Sequence, residues 1–485
     1  MRVNNNPMAE ARIQISVVER TDWTEPREHF FEFASRPHCV WLDTVAGATG
    51  YSILAAEPSM ILRAKGRRIE IISADGTKAI EGNPFDVLSE QLTLRRHAVI
   101  SDFPIGAAIG YFGYGLKNFV EELPAKAMDD LALPDCWFGF YDNLLVFDHT
   151  ACRIFEVGQD DVRRRSLDRA VQSVRSGDLR TTVHSNFTRD GYRTAILRAK
   201  EYIGAGDIYQ VNLSQRFQCD VGASPVELYL ALRESNPASY CAYLDIGAAQ
   251  ILSTSPECFL NINDRRVITR PIKGTRARGA NAAEDARIAA ELLASPKDNA
   301  ELVMITDLER NDLGRACDFG SVRVSELVRV ETYATVHHLV STVEGLLRSD
   351  VSHVDCVRAC FPGGSITGAP KIRAMEIIDE LEPHARGVYT GAIGFLGYNA
   401  LTHLNVAIRT VVYQSGPLPH RSGAGVSPVS APVKGGRDAR PTNSGRLTFH
   451  AGGGIVTDSE PDAEYDETFA KARGILNAID QLRIR

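Results

Sequence analysis

The run Val267-Ile268-Thr269-Arg270-Pro271-Ile272-Lys273-Gly274-Thr275-Arg276 is the stretch on which the reading of this chain turns. Its first three residues are β-branched, which predicts a strand, expected to end at Gly274. A turn at Asn263-Asp264 would fold that strand back onto Ser253-Thr254-Ser255-Pro256-Glu257-Cys258-Phe259. Side chains alternate along strands, so turn length decides which face each residue takes. A two-residue turn sets Glu257 and Lys273 on opposite faces. A three-residue turn sets them on one face, with Glu257 opposite Pro271. The three-residue turn is the expectation, because a carboxylate beside a lysine makes an acid/base pair. A lysine is a nucleophile only when neutral, and at an ordinary pKa roughly one in 2,500 is neutral at pH 7. Burial lowers that pKa and opens covalent chemistry.

Composition narrows the field. The chain has 485 residues, 44% hydrophobic and 24% charged, in the range of a soluble globular protein. The formal net charge is −7 and no large basic block occurs, so nucleic acid is not an expected partner. Nine scattered cysteines, none in C-x-x-C spacing, read as reduced thiols and suggest a cytoplasmic setting. Asn4, Asn5, Asn6 and Glu10 stand where a secretory signal would need an apolar core. The longest stretch without Asp, Glu, Lys or Arg is Gly387–Ile408. Asn399, Thr402, His403, Asn405 and several glycines break it, so it reads as two strands and a turn, with no membrane span.

Outward from the central run, residues 1–20 are expected to fray. Helices are predicted over 25–34, 84–92, 162–175 and from Thr188, where Tyr192, Ala195, Ile196, Ala199, Tyr202 and Ile203 share a face. Strands are predicted at 38–43, 134–142, 144–147 and 207–213, with a hairpin around Asp75-Gly76. The polar stretch 178–186 reads as a boundary. Helix 299–308 would set Glu301 on the face of Met304, Ile305 and Leu308, where a carboxylate needs a cation or hydrogen bonds. Near the C-terminus, Ser459 is expected to cap a helix carrying Glu464 and Glu467 three residues apart on one face. Phe361-Pro362-Gly363-Gly364-Ser365-Ile366-Thr367-Gly368-Ala369-Pro370-Lys371 is a glycine-rich loop feeding a helix, an arrangement that binds anions. Residues 415–444, rich in Gly, Pro, Ser and Arg, read as a flexible insertion in a hairpin from Val411 to Leu447 that leaves the chemistry unchanged.

Several of these runs together resemble one family. Pro271-Ile272-Lys273-Gly274-Thr275 resembles the signature of aminodeoxychorismate synthase component I, within the chorismate-utilising family that also holds anthranilate synthase component I. Tyr51–Pro58, Gly106–Tyr114, Ser255-Pro256-Glu257, Asp307–Arg315, His338-Leu339-Val340-Ser341 and the loop 361–371 resemble further family motifs. The resemblance runs from about Gly106 to the C-terminus, and more weakly before it. It implies an α+β, anthranilate synthase component I-like fold: large antiparallel sheets, helices outside, and a cleft between two lobes. It divides the chain into an N-terminal region, 1–180, and a chorismate-binding catalytic region, 186–485. Val40-Trp41-Leu42-Asp43 stands where relatives carry a tryptophan-pocket motif.

The resemblance also assigns roles. Lys273 would attack chorismate, Glu257 would protonate the leaving hydroxyl, and His338 would sit near the ring hydroxyl. Gln210, Gly274, Thr275, Gly364, Thr367, Tyr389, Arg409, Gly452 and Gly454 would contact substrate. Glutamine at 210 matches enzymes that add ammonia, because it cannot activate water as a base. Glu301 and Glu467 would hold Mg²⁺, with Glu464 near its water shell. The implied reaction converts chorismate and ammonia to 4-amino-4-deoxychorismate, for p-aminobenzoate and folate synthesis. The alternative is anthranilate formation, since anthranilate synthases carry alanine at the lysine position. No cysteine lies in a G-x-C-x-G setting, so ammonia is expected from glutamine through a separate amidotransferase subunit.

Overall fold

The computed structural model describes residues 15–20, 22–44, 50–159, 182–333, 336–415 and 445–484. Two twelve-stranded sheets carry the fold, and their paired strands run antiparallel throughout. Neither sheet belongs to one half of the sequence. In the first, Val40–Asp43 pairs with Tyr240–Asp245. In the second, Ala107–Phe112 pairs with Ala392–Gly397. These two seams join the N-terminal part of the chain to the rest.

One apolar core lies between the sheets, built from Val40, Ile53, Ile109, Trp137, Val146, Ile251 and Ile393 among others. Helices cover the outer faces. Pro26–Phe33, Pro225–Ser235 and Pro461–Ile484 cover the first sheet, with Phe30, Leu228, Tyr229, Ala472 and Ile475 in a second core. Pro84–Thr93 and His353–Cys360 back the second sheet. The α+β class with large antiparallel sheets and outer helices is as expected. Ala107–Phe112 is buried along its whole length, as a strand covered on both faces must be. At Gly110 a Cβ would meet the Trp137 carbonyl at 1.9 Å, so only glycine admits that approach.

Most local expectations hold. Thr188 caps Arg189–Gly204 by accepting from Gly191 N–H, and Tyr192, Ala195, Ile196 and Ala199 are buried. The uncharged stretch forms Ala392–Gly397 and Leu401–Val406, paired antiparallel. The hairpin from Val411 to Leu447 forms between Thr410–Ser415 and Gly445–Ile455. No disulfide joins any two of the nine cysteines. Among the described residues no helix is long and apolar enough to cross a membrane. The expected helix 162–175, the boundary residues 178–181 and the insertion from 416 to 444 lie outside the described residues.

Four expectations need correction. Residues 15–20 are not frayed: Ile15–Arg20 pairs along its length with Arg153–Gln159. The strand through Lys273 does not end at Gly274. Arg266–Arg270 is interrupted at Pro271, which lacks an N–H, and resumes as Ile272–Ala277. Gly274, at φ 65°, takes a bulge there. The turn after Asn263 has two residues, not three, since Asn263 pairs with Arg266. A bulge between Cys258 and Asn261 then shifts the register by one, so Cys258 pairs with Arg270. The bulge does what the longer turn was expected to do and brings Glu257 alongside Pro271. Finally, the last helix starts at Pro461, so Ser459 lies before its cap. The Ser459 hydroxyl instead donates to Glu464 Oε1 at 2.6 Å and accepts from Val456 N–H at 3.1 Å.

Candidate active site

Glu257 stands where the chain crosses between sheets. Gln250–Ser255 belongs to the first sheet and Cys258–Asn263 to the second. Pro256 has no N–H to leave unpaired in that crossing. The Glu257 carboxylate is 4% exposed and accepts the Ile272 N–H at 3.4 Å, next to Lys273. Lys273 Nζ donates to the Ser365 carbonyl at 3.2 Å, and Asn212 Nδ2 donates to the same oxygen at 2.7 Å. The glycine-rich loop thus reaches the lysine through a backbone carbonyl.

Burial pushes the Lys273 ammonium below the ordinary lysine range, and Lys471 adds to this, while Glu301, Glu257 and Glu467 oppose it. Burial raises the Glu257 carboxyl, against the pull of the Ser365 hydroxyl and Lys273. Both shifts favour the uncharged forms, a free amine beside a protonated acid.

His338 lies on Val336–Leu346, where it pairs with Thr275. Its Nδ1 is 2.9 Å from the Thr275 hydroxyl. Burial and the nearby Arg409 push the ring down to about 4, so it is neutral at physiological pH. His337 is structural, as its adjacent side chain points the other way: Thr332 and Asp285 hold its two nitrogens, each at 2.8 Å.

Around these groups lies a wall with spare polar capacity. Gln210 is fully buried, and neither its Oε1 nor its Nε2 has a partner. A Cβ on Gly454 would meet Gln210 Nε2 at 2.2 Å, so glycine there admits the amide. A Cβ on Gly452 would meet the Leu213 carbonyl at 2.3 Å. Arg409 has a left-handed backbone at φ 49°, uncommon outside glycine. Its guanidinium donates to Asn236 Oδ1 at 3.0 Å and makes no ion pair among the described residues. Tyr389 stacks on His450 with ring centroids 5.0 Å apart, and burial pushes its hydroxyl up to about 12. Gly364 packs against Leu308. Thr367 donates its hydroxyl to Gly363 O at 3.0 Å and accepts Asn212 N–H on its carbonyl, which fastens the loop to the strand.

The acidic residues gather beside Lys273. Glu464 Oε2 and Glu467 Oε1 lie 3.1 and 3.5 Å from where a Gly453 Cβ would be. Glu467 pairs with Lys471 at 2.8 Å and keeps 48% of its side-chain surface exposed. Burial would raise the Glu467 carboxyl, but Lys471, Lys297 and Lys273 outweigh it and hold it low. Burial and Glu467 raise Glu464, against Ser459. Glu301, on Pro296–Gly314, is partly buried and faces Lys273 electrostatically. Carboxylate oxygens are the donors Mg²⁺ prefers, and a crowded acid pair gains from a cation. Among the described residues no three His, Cys, Asp or Glu side chains converge on one point. Any cation held between these carboxylates would have to take the rest of its ligands from water or substrate oxygens.

Sequence reasoning missed Asn212, Ser365, Arg386 and Lys471. Ser365 meets Lys273 and Asn212 through its backbone carbonyl, which carries no side-chain signal. Lys471 stands one helical turn after Glu467, a pairing that could have flagged it, whereas Arg386 lies beyond the end of the helix that stops at Leu381.

The chorismate binding enzyme family matches residues 37–434 and 441–477. Aminodeoxychorismate synthase component 1 of Bacillus subtilis is 36% identical, covering 92% of both chains. Anthranilate synthase component 1 of Thermus thermophilus is 39% identical, over 84% of this chain and 85% of its own. The crystal structure of anthranilate synthase component I from Streptococcus pneumoniae superposes with a TM-score of 0.73 at 31% identity, covering 88% of this chain and 92% of that one. With the match covering most of both sheets, the chain belongs to the chorismate-binding enzyme family and is a chorismate-utilising enzyme.

Proposed function

We propose that this enzyme is an aminodeoxychorismate synthase component I, converting chorismate and ammonia to 4-amino-4-deoxychorismate. The observation that carries this reading is Lys273 itself, set against the buried Glu257 with both groups biased to their neutral forms. The Lys273 amine forms a bond to C2 of chorismate, the ring diene electrons shift, and the C4 hydroxyl leaves as water with the proton from Glu257. Ammonia then bonds to C4, the electrons shift back, and the C2–N bond breaks to return the lysine. Neutral His338, held by Thr275, sits towards the ring hydroxyl. Arg409, which meets no carboxylate among the described residues, grips the enolpyruvyl carboxylate beside Tyr389 and Gly454. The Gln210 amide meets the polar substrate without activating water.

Glu301 and Glu467 would hold Mg²⁺, with Glu464 towards its water shell. When bound, the cation fixes the ring carboxylate and draws electron density from the ring. Ammonia would come from glutamine through a separate amidotransferase subunit, and the chain works among soluble cytoplasmic enzymes. Residues 1–180 and 186–485 are proposed as an N-terminal and a catalytic region.

The competing reading is anthranilate synthase component I, favoured by the 39% identical relative. Product identification decides between them. The purified chain is incubated with chorismate, Mg²⁺ and an ammonium salt at alkaline pH, and the product is analysed by mass spectrometry. We expect 4-amino-4-deoxychorismate, and none with glutamine as the sole nitrogen source. Anthranilate with pyruvate would overturn the proposal in favour of the second reading.

A further inference from the structure

The carbonyls on either side of Ser365 are tied down by their own surroundings. Lys371 Nζ donates to the Cys360 and Pro362 carbonyls at 3.1 and 2.8 Å. The Thr367 hydroxyl donates to Gly363 O at 3.0 Å and reaches Gly364 O at 3.3 Å. Arg386 Nη1 donates to Ile366 O at 3.1 Å, and the Asn212 N–H to Thr367 O at 2.8 Å. Ser365 O is different: it takes two side-chain donors, Asn212 Nδ2 at 2.7 Å and Lys273 Nζ at 3.2 Å. Three parts of the fold meet at that oxygen. Asn212 comes from Gln210–Val221 of the first sheet, Lys273 from Ile272–Ala277 of the second, and Ser365 from the glycine-rich loop.

Asn212 is well placed to hold something else still. Its N–H goes to Thr367, its carbonyl accepts Arg386 Nη2 at 2.7 Å, and it pairs with Gly454 across the ladder. A Cβ on Gly454 would come within 3.1 Å of Asn212 Oδ1, so the glycine leaves room for the amide. A carbonyl oxygen has two lone pairs. Asn212 fills one, and the other is left for the lysine. A neutral amine carries two N–H groups and one lone pair, and only the lone pair attacks. With one N–H committed to a fixed oxygen, the directions open to that lone pair are few.

We infer that Asn212 is a positioning residue for Lys273: its amide pins the Ser365 carbonyl, and that carbonyl aims the amine at C2 of chorismate. This rests on the reading of Lys273 as the nucleophile. In that step Nζ bonds to C2 as the C4–O bond breaks. The hydroxyl leaves as water with the Glu257 proton, and the proton shed by the alkylated nitrogen restores Glu257. Asn212 exchanges no proton and touches no reacting atom. Its contribution is orientation, which counts in the attack and not in the binding of chorismate.

The test follows the covalent adduct, chorismate less water, in a single turnover of the full chain with Mg²⁺ and no ammonia. Quenched samples are read by intact-protein mass spectrometry. Asn212→Leu keeps the bulk of the side chain and removes its donor. It should slow adduct formation by about 10- to 100-fold. Chorismate affinity is measured by calorimetry in a Lys273→Ala background, where no adduct forms on residue 273. There Asn212→Leu should change it by less than about twofold. Asn212→Asp keeps the shape and puts an acceptor where the donor was. It should slow the step at least as much, and it decides the matter if Asn212→Leu folds poorly. An adduct formed at the wild-type rate in a folded variant overturns the inference. So does a matching loss of chorismate affinity, which would make Asn212 a support of the loop and not of the lysine. The level beneath is separable. If the wild type forms no adduct and Lys273→Ala runs at full rate, the nucleophile reading fails and this inference with it. A wild-type adduct that forms equally fast in the Asn212 variants refutes Asn212 alone.

Discussion

Arg386 and Arg409 are both enclosed by protein near the cleft, and they are treated in opposite ways. Arg386 gives its donors to both Glu382 oxygens at 2.7 and 2.9 Å, to Ile366 O at 3.1 Å and to Asn212 O at 2.7 Å. Its guanidinium also lies 4.9 Å from the Tyr114 ring centroid. Glu382 in turn accepts the Ser214 N–H and hydroxyl at 2.8 and 2.9 Å. Every charge in that network is answered, and the network clamps the glycine-rich loop to Gln210–Val221. Arg409 has the Asn236 amide and no carboxylate among the described residues, and Gln210 beside the cleft has two idle polar atoms. Burying polar groups without partners is costly, so a fold keeps them where a ligand completes them. The satisfied wall is complete within the protein; under the proposed function, the unsatisfied groups are those left for substrate.

That division makes mutational effects separable. The largest should come from Lys273→Ala. It should lower kcat for 4-amino product formation by about 10⁴-fold, ~5.5 kcal/mol of barrier, with little change in melting temperature. Intact-protein mass spectrometry with chorismate and no ammonia should show an adduct mapping to Lys273, absent from the variant. A Lys273→Ala enzyme running at full rate would put the lysine among substrate-binding charges. Next comes Arg386→Leu, which leaves the Glu382 charge buried and alone. Urea denaturation should show a loss of about 3–5 kcal/mol. A loss below 1 kcal/mol would mean that the clamp contributes little.

Arg409→Leu should invert that pattern. It removes a charge with no carboxylate, so stability should hold or rise, while the chorismate KM climbs tenfold to a hundredfold, about 1.5–3 kcal/mol. Equal destabilisation in the Arg386 and Arg409 variants would erase the distinction between the two walls.

Local sequence reached the fold but only part of the site. Thr188 as a cap, the uncharged pair of strands around residue 399 and the strand into Lys273 all follow from patterns within a few residues. The face on which Glu257 meets Lys273 does not. It depends on a bulge between Cys258 and Asn261, and a bulge is set by neighbouring strands on both sides. The Arg386 clamp escaped for the same reason. Its partners Asn212, Ser214 and Ile366 are brought together by two sheets and a loop, and two of the contacts are backbone carbonyls with no side-chain signature. Lys273 and Glu257 were legible because the chemistry is written in side-chain type; the walls were not, because satisfaction is a property of the folded surroundings.

The smallest effect concerns His450, which stacks on Tyr389 where the two walls meet. It is buried, its Nε2 has no partner, and burial with Arg216, Arg386 and His384 holds its pKa well below 6.5. Asp130 opposes this weakly. Since the folded value is depressed, the unfolded chain takes up a proton below pH 6.5 that the folded chain refuses. His450 therefore favours the fold fully above pH 6.5, and that contribution falls as the solution is acidified. One pH unit below the unfolded value the loss reaches about 1.4 kcal/mol. Replacing the ring with one that cannot titrate removes that dependence. His450→Phe should match the wild type in urea at pH 7.5, apart from a constant offset for repacking. At pH 5.5 the difference between the two should have shifted by about 1.4 kcal/mol in the variant's favour. Parallel stability curves from pH 7.5 to 5.5 would show that His450 accepts its proton in the folded state, and that the wall behind Tyr389 is open to water.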